Sequence, residues 1–272
     1  MPRPLALFAL IFAACGGAAS TPAETPTQRA TESVPPTDVA EQAVEPSALL
    51  AEVVAAEDRS EDDRALDEGR RPAEVLTFFG IERGQRVADL FAGTGYTTEL
   101  LARAVGPEGQ VFAQNNAFVM DRFARGPIGE RLARPALSNV VLVEREMDAP
   151  IPPDAQGLDA VIFILAYHDT IWMQTDRAAM NRAIFEALRP GGVYGIVDHS
   201  AEPGSGVRDV QSLHRIEESV VIDEITAAGF RLDARASTLR EPEDARDWNA
   251  SPRAAAERRG HSDRFVLRFV RP

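Results

Sequence analysis

The sequence predicts an α/β fold built on a doubly wound, mostly parallel sheet of seven strands, with an antiparallel last strand. Short apolar runs alternate with longer amphipathic stretches, which is typical of strands joined by helical crossovers. A glycine-rich turn, Gly93-Thr94-Gly95, follows the first apolar run and precedes a helical pattern. The last two apolar runs have no strong helical pattern between them, so we expect them to pair antiparallel.

Turn residues between the apolar runs separate the predicted elements from one another. The fourth run is apolar on both faces, as expected for a strand buried inside a parallel sheet. The predicted strands cover 85–92, 110–115, 140–145, 158–166, 193–197, 231–239 and 264–270. Helices are predicted to begin near Ser47 and at Pro72, and others to cover 96–105, 117–133, 170–188 and 213–228.

Composition restricts the partners and the kinds of site that the protein can have. The 272 residues carry a formal net charge of −13, so the average field repels nucleic acids and no nucleic-acid partner is predicted. The sequence has one cysteine, Cys15, which excludes an intramolecular disulfide and a four-cysteine zinc site.

The first 15 residues have the pattern of an export signal. Arg3 precedes an apolar stretch that is too short to span a bilayer as a helix. Two alanines precede Cys15 and two glycines follow it, an arrangement that resembles the lipobox of bacterial lipoproteins. The resemblance implies a lipid on Cys15 and an anchor in the cell envelope. An ordinary cleaved signal peptide is the alternative.

The next segment, 16–57, is predicted to be a tether that carries one short helix near its end. Residues 16–46 are rich in Ala, Thr, Pro and Glu and lack apolar periodicity, so they are predicted to be disordered. We expect the folded domain to cover 58–272. The predicted organisation is therefore a lipoprotein signal peptide, a tether and one α/β domain.

The strongest motif is DLFAGTGY, which runs from Asp89 to Tyr96 between the first strand and a helix. It resembles motif I of the class I S-adenosylmethionine-dependent methyltransferases, in which an acidic residue precedes a Gly-x-Gly turn. The resemblance implies a Rossmann-like methyltransferase fold. It also implies that S-adenosylmethionine binds at Asp89, Gly93, Thr94, Gly95 and Tyr96.

The same resemblance assigns the rest of the cofactor site. Asn115 ends the second strand, where the family has an acidic residue that holds the ribose hydroxyls. Glu146 and Met147 follow the third strand, where the family binds the adenine ring; a solvated acidic loop is the alternative. Tyr167 follows the fourth strand and is also assigned to the cofactor.

Three of the four histidines are predicted to lie at one rim of the sheet. His168 and Asp169 follow the fourth strand, His199 follows the fifth, and His214 opens the next helix. Ligands of open α/β sheets bind beyond the carboxyl ends of the strands. We predict His168, Asp169 and His199 as catalytic residues, with a histidine as proton acceptor. Metal binding ranks lower, because no His-x-x-x-His spacing is present, and helix capping or pairing with a carboxylate is the structural alternative.

Short segments of the domain also resemble a group of exported bacterial proteins described as predicted methyltransferases. They cover 71–76, 167–169, 198–201, 213–216, 228–230 and 262–267. The leading hypothesis is methyl transfer from S-adenosylmethionine to a small molecule or an envelope component. A non-catalytic ligand-binding lipoprotein on this scaffold is the alternative, since the cofactor is made in the cytoplasm.

Two further features complete the sequence-based hypotheses. Thr98 stands where the dinucleotide turn Gly-x-Gly-x-x-Gly has its third glycine, which disfavours a nicotinamide oxidoreductase. The loop over 240–263 leads into the last strand and lies at the same predicted rim. It is expected to be either a lid over the substrate or a mobile, exposed connection.

Overall fold

The computed structural model describes residues 39–272, which form one eight-stranded sheet. The strands are β1 (Glu41–Gln42), β2 (Arg86–Leu90), β3 (Gln110–Asn115), β4 (Val140–Glu144), β5 (Leu158–Ile164), β6 (Leu188–His199), β7 (Arg231–Ala236) and β8 (Arg264–Val270). Their order in the sheet is β1-β7-β8-β6-β5-β2-β3-β4. This confirms the predicted sheet, with one strand more than the seven expected.

Helices connect most of the strands. They are α1 (Ala48–Val54), α2 (Glu61–Arg64), α3 (Asp67–Arg70), α4 (Pro72–Phe78), α5 (Tyr96–Val105), α6 (Ala117–Val119), α7 (Arg125–Leu132), α8 (Asp169–Trp172), α9 (Arg177–Ala187), α10 (Val210–Leu213), α11 (Glu218–Ala227) and α12 (Pro252–Ala255). A π-helical turn, Met120–Ala124, joins α6 to α7, and 3-10 turns cover Pro135–Leu137 and Ala256–Arg258. Within residues 39–272, no helix combines the length and apolar character needed to cross a membrane.

The last strand runs against the rest of the sheet, as the sequence predicts. β8 pairs antiparallel with β6 and with β7, whereas the other pairs are parallel. Because of this direction, Arg264 at the start of β8 lies opposite His199 at the end of β6. The beginning of β8 therefore joins the carboxyl ends of the other strands at one rim.

The folded domain begins earlier than residue 58, the start that the sequence predicts. Glu41 and Gln42 pair with β7 and supply the eighth strand. Ser47 caps α1, and Leu50 of this helix is fully buried. The last part of the predicted tether is thus integrated into the domain, because its apolar residues pack on it. The predicted export signal, Cys15 and the tether as far as residue 38 lie outside the described residues.

Two apolar clusters cover the two faces of the sheet. Val87 and Val111 belong to one cluster, while Ala88 and Phe112 belong to the other, as the alternation of side chains along a strand requires. Both clusters also contain residues of the helices. The strand ends that form the rim are therefore held in a platform buried on both sides.

Three predicted helices are interrupted. The stretch over 117–133 contains the π turn, and α7 continues through Gly126 and Pro127. The stretch over 170–188 divides into α8 and α9, and the stretch over 213–228 is broken between the end of α10 and the start of α11. Gln174 and His214 lie in these two breaks and have φ of 58° and 51°. Left-handed backbone at residues other than glycine is energetically costly and is common at functional sites.

Candidate functional site

Asp89, near the end of β2, links the glycine-rich turn to the helix that follows it. Gly95 is the N-cap of α5 and has no side chain with which to cap the helix. Asp89 contacts the first turn of α5 instead, because its Oδ2 accepts a hydrogen bond from Thr98 Oγ1 at 2.6 Å. Asp89 is 2% exposed, and burial raises its pKa to about 7 although the hydrogen bonds from Thr98 oppose the rise. This predicted cofactor residue therefore contacts the helix beneath the turn.

Asn115 holds the same turn from the neighbouring strand. Its Oδ1 accepts from Gly93 N at 2.8 Å, and its Nδ2 donates to Gly93 O at 3.0 Å. Gln114 makes a similar link, with Oε1 accepting from Phe91 N at 3.1 Å. Asn115 is fully buried and both of its polar side-chain atoms bind the turn, while its contact with the ribose hydroxyls stays a prediction. An aspartate has no donor for Gly93 O, which explains the amide.

The glycine-rich turn is covered by a side chain at Gly95 and is open at Gly93. Arg131 of α7 donates from Nε to Thr94 O at 2.8 Å, and a Cβ on Gly95 would lie 2.9 Å from Cδ of Arg131. A Cβ on Gly93 would meet only Phe91 O within 4 Å, at 4.0 Å. A ligand therefore approaches the backbone of the turn at Gly93 rather than at Gly95.

A cleft of about 350 Å³ lies beyond the carboxyl ends of β3 and β4. It is lined by Glu146 and Met147, the residues predicted to bind adenine, and by Phe118 and Trp172. The rings of Phe118 and Trp172 are 43% and 38% exposed and meet edge to face, with centroids 5.9 Å apart. Exposed rings beside a concave site offer a stacking surface for a flat heterocycle. The volume and the lining suit a nucleoside.

His168, Asp169 and His214 converge at the rim, and we call these three residues the histidine cluster. His168 Nε2 lies 3.1 Å from His214 Nδ1 and 3.2 Å from Asp169 Oδ1. His214 Nδ1 lies 3.6 Å from the same carboxylate oxygen. Trp172 Nε1 donates to that oxygen at 2.7 Å, which connects the histidine cluster to the cleft. On the other side, His168 Nδ1 lies 2.7 Å from Oδ1 of the fully buried Asp198.

The two histidines predicted as proton acceptors have opposite electrostatic environments. Burial lowers the pKa of His168, but the carboxylates of Asp198 and Asp169 raise it by more, to about 10. Burial, assisted by the positive charge of His168, lowers the pKa of His199 well below its usual value. With a pKa of about 10, His168 is protonated at neutral pH, which disfavours a role as the base. His199 is neutral.

A second cavity, of about 440 Å³, reaches the rim at Leu165 and His199 and is rich in positive charge. Its charged and histidine lining consists of Arg70, Arg71, Arg259, Arg264, His199, His261, Glu68 and Glu241. Burial lowers the pKa of Arg264 to about 10, and its guanidinium donates only to backbone carbonyls among the described residues. Burial also lowers the pKa of Arg70. Within residues 39–272, the Arg70 guanidinium has no hydrogen-bonded or ion-paired partner and lies 4.4 Å over the ring of Tyr96. We call this the arginine cavity.

Two tyrosines that were predicted to contact the cofactor face other parts of the protein. Tyr167 is fully buried, and its hydroxyl donates to Glu224 Oε2 of α11 at 2.8 Å. Tyr96 donates to Asp67 Oδ1 at 2.6 Å and so faces the helices that precede β2. Leu165, with φ of 58°, turns the chain at the end of β5. This turn places Tyr167 in the core and the next residue, His168, at the rim.

The loop over 240–263 is fastened to the rest of the domain. Arg215 is fully buried and forms an ion pair with Asp244 at 2.8 Å. Asp244 also accepts hydrogen bonds at 2.7 Å from Asp263 N and from Trp248 Nε1. Breaking a buried ion pair leaves an uncompensated charge, so this contact fixes the loop. No local sequence pattern indicates the pairing of Arg215 with a residue 29 positions away.

Curated relatives of the chain carry a named activity. The chain is 30% identical over 138 residues to the ubiquinone/menaquinone biosynthesis C-methyltransferase UbiE of Yersinia pestis. The match covers 50% of this chain and 52% of that protein. The chain thus spans about half the length of the curated relatives it matches. No protein-family model matches the sequence.

Solved structures decide the fold. A SAM-dependent methyltransferase from Aquifex aeolicus has a TM-score of 0.54 and 18% identity, over 78% of this chain and 97% of that one. The chain has the class I methyltransferase fold. The glycopeptide N-methyltransferase MtfA, complexed with sinefungin, has a TM-score of 0.50 and 17% identity, over 75% and 94% of the two chains. In this methyltransferase fold the cleft and the histidine cluster lie at the carboxyl ends of the strands, where open α/β sheets bind ligands.

Proposed function

We propose that this protein transfers a methyl group from S-adenosylmethionine to a small molecule held in the arginine cavity. The observation that carries the proposal is the nucleoside-sized cleft beyond β3 and β4, with its exposed aromatic pair. The methyltransferase fold and the methyltransferase relatives support it.

The residues of the cleft fit the cofactor. Met147 is 2% exposed and offers an apolar surface, and Glu146 offers a carboxylate that accepts a hydrogen bond from an amino group. Trp172 offers a ring for stacking on the base. The cofactor supplies an electrophilic methyl group on sulfur. The protein then has to hold the donor and the acceptor in line, which requires little covalent chemistry from its side chains.

We infer that the acceptor is an anion. Arg264 is buried and Arg70 is half-buried, and neither has a carboxylate partner among the described residues, so a negative ligand would offset their desolvation. His199 lines the same cavity, and its Nδ1 lies 2.7 Å from Ser262 Oγ. The other ring nitrogen is left for the acceptor. His199 is therefore the better candidate for the proton acceptor, and His168 orients the neighbouring groups.

The predicted location in the cell envelope remains part of the proposal. The apolar stretch before Cys15 and the small residues around it support export and lipidation. Radiolabelled palmitate should label the full chain in bacteria but leave Cys15→Ser unlabelled. Equal labelling of both proteins would contradict the anchor.

Isothermal titration of the full chain with S-adenosylhomocysteine tests the cofactor part. We expect one site per chain, with affinity reduced by Glu146→Gln and by Trp172→Ala. Phe123→Ala is the matched control, because Phe123 is 53% exposed and lies outside the lining of the cleft. No binding at millimolar ligand would remove the enzyme proposal. Binding without methyl transfer to any anionic fraction of a small-molecule extract would favour the non-catalytic ligand-binding protein.

A further inference from the structure

We propose that the histidine cluster, His168, Asp169 and His214, binds one divalent first-row transition-metal ion. The inference does not rest on the proposed methyl transfer, since it concerns the geometry of the three side chains alone. From the sequence alone a metal ranks behind a proton acceptor, because the histidines lack a regular spacing. The structure brings them together from the end of β5 and the end of α10.

The distances between the three ligand atoms match a shared ion. His168 Nε2, His214 Nδ1 and Asp169 Oδ1 are separated by 3.1, 3.2 and 3.6 Å. Nitrogen and oxygen ligands bind these metals at about 2.0–2.2 Å, which places neighbouring ligand atoms about 3.0–3.5 Å apart. The three atoms therefore form one face of a coordination polyhedron, and the remaining positions are left for water or substrate.

The groups behind the ligands are those that a metal site requires. Asp198 is fully buried, and its Oδ1 lies 2.7 Å from His168 Nδ1. Its Oδ2 accepts a hydrogen bond from His168 N at 2.8 Å. Metal binding displaces the Nε2 proton of His168, and the carboxylate on Nδ1 then keeps the remaining proton there, so that the Nε2 lone pair points at the cluster. This carboxylate–histidine pair is the usual outer shell of a metal-binding histidine.

The other two ligands are also held in place. Trp172 Nε1 donates to Asp169 Oδ1 at 2.7 Å, which orients the carboxylate. His214 ends α10 in the left-handed region, with φ of 51°. Such backbone is energetically costly and persists where the surrounding structure fixes it. The strained residue is the one whose imidazole completes the histidine cluster.

The donor set selects the class of metal. Two imidazoles and one carboxylate suit Fe²⁺, Co²⁺, Ni²⁺ or Zn²⁺, whereas Mg²⁺ and Ca²⁺ prefer sites made of oxygen. Two imidazoles and a carboxylate on one face also leave open positions, as in sites that bind a further ligand. We therefore expect Co²⁺ to serve as a spectroscopic probe of the site.

The test is a titration of the full, untagged chain with Co²⁺ after chelation and dialysis. A Cys15→Ser background removes the thiol as a competing ligand. We expect one Co²⁺ per chain. Binding should quench the fluorescence of Trp172, because this side chain contacts the metal ligand Asp169. The Trp172→Phe variant should lose this quenching. The controls are His261→Ala, which changes a histidine of the arginine cavity outside the histidine cluster, and Phe123→Ala; both should bind Co²⁺ as the parent does.

Three substitutions locate the ion. His214→Ala and Asp169→Asn should each weaken binding by at least about tenfold, and Asp198→Asn by roughly 10- to 100-fold. Asp169→Asn retains an acceptor for Trp172, so it reports on the ligand charge even where His214→Ala destabilises the domain. No stoichiometric binding by the parent, or equal binding by Asp169→Asn and the parent, would overturn the proposal. Neither result depends on whether S-adenosylhomocysteine binds.

Discussion

The two halves of the carboxyl rim use polar side chains differently. Around the glycine turn, neutral amides make most of the side-chain contacts: Asn115 binds both polar groups of Gly93, and Arg131 adds one charged donor to Thr94 O. Around β5, β6 and β8, buried charges meet directly, as in the pairs of His168 with Asp198 and Arg215 with Asp244. The first half keeps a fixed shape for a ligand. The second half holds buried charged groups, which suits the selection of a charged acceptor or a metal ion.

Asn115→Asp should have the largest effect, because it brings charge into the neutral half. The carboxylate would still accept from Gly93 N but would face Gly93 O without a donor. We expect the free energy of unfolding to fall by about 3–5 kcal/mol in urea denaturation. Asn115→Ala adds no charge, so its free energy of unfolding should fall by less. An aspartate variant as stable as the parent would show that the two hydrogen bonds do not hold the turn.

Asp89 is an ionisable residue beneath the glycine turn, and its effect on stability depends on pH. Its folded pKa of about 7 exceeds the 3.8 of an unperturbed aspartate, so the folded protein keeps a proton that the unfolded chain releases between these values. Its contribution to stability is full below that window and is lost as pH rises to about 7. At about pH 8, Asp89→Asn should be more stable than the parent by roughly 2–4 kcal/mol.

Urea denaturation of both proteins across this range checks the prediction. The difference in the free energy of unfolding between Asp89→Asn and the parent should shrink toward zero near pH 4, where both side chains are neutral. A constant difference at all pH values would contradict the assigned burial effect.

Trp172→Ala tests the residue that joins the two halves, since Trp172 lines the cleft and also donates to Asp169. Loss of the stacking ring should weaken S-adenosylhomocysteine about tenfold. Trp172→Phe keeps a ring but not the N–H, so it should retain most of that affinity. Calorimetric titration of the two variants separates the contributions. Equal losses would assign the effect to the hydrogen bond rather than to stacking.

Arg70→Ala probes the charged half and has the smallest expected effect. With labelled S-adenosylmethionine and acceptors separated beforehand on an anion-exchange column, methyl transfer should be confined to the retained fraction. Arg70→Ala should lower that rate about fivefold, the loss expected for one charge-assisted hydrogen bond. Arg253→Ala, an exposed arginine outside the cavity, should leave it unchanged. Transfer to the unretained fraction would contradict an anionic acceptor.

Local patterns were sufficient to predict most of the fold. The predicted strands over 110–115 and 264–270 match β3 and β8, and Ser47 and Pro72 begin helices as expected. Capping residues and apolar periodicity act within a few positions, so they are visible in one sequence. β1 was missed because two polar residues carry no strand pattern and pair only in the presence of β7.

The candidate site was predictable only in outline. The rim position of the histidines follows from strand direction, but the placement of Tyr167 in the core depends on the left-handed Leu165, which no local pattern indicates. The sequence shows that Asn115 replaces the acidic residue of the family pattern. The contact of Asn115 with Gly93, which explains the amide, can be seen only when β2 and β3 lie side by side. Charge pairs that join distant segments, such as Arg215 with Asp244, require the tertiary structure.

The most direct test is a crystal structure of the full chain with S-adenosylhomocysteine. We expect the adenine ring to lie in the cleft, in contact with Met147 and Trp172 and with its amino group on Glu146. The amino-acid part should pass the open side of the turn at Gly93. A ligand bound elsewhere, or a cleft that admits no nucleoside at millimolar concentration, would contradict the central claim.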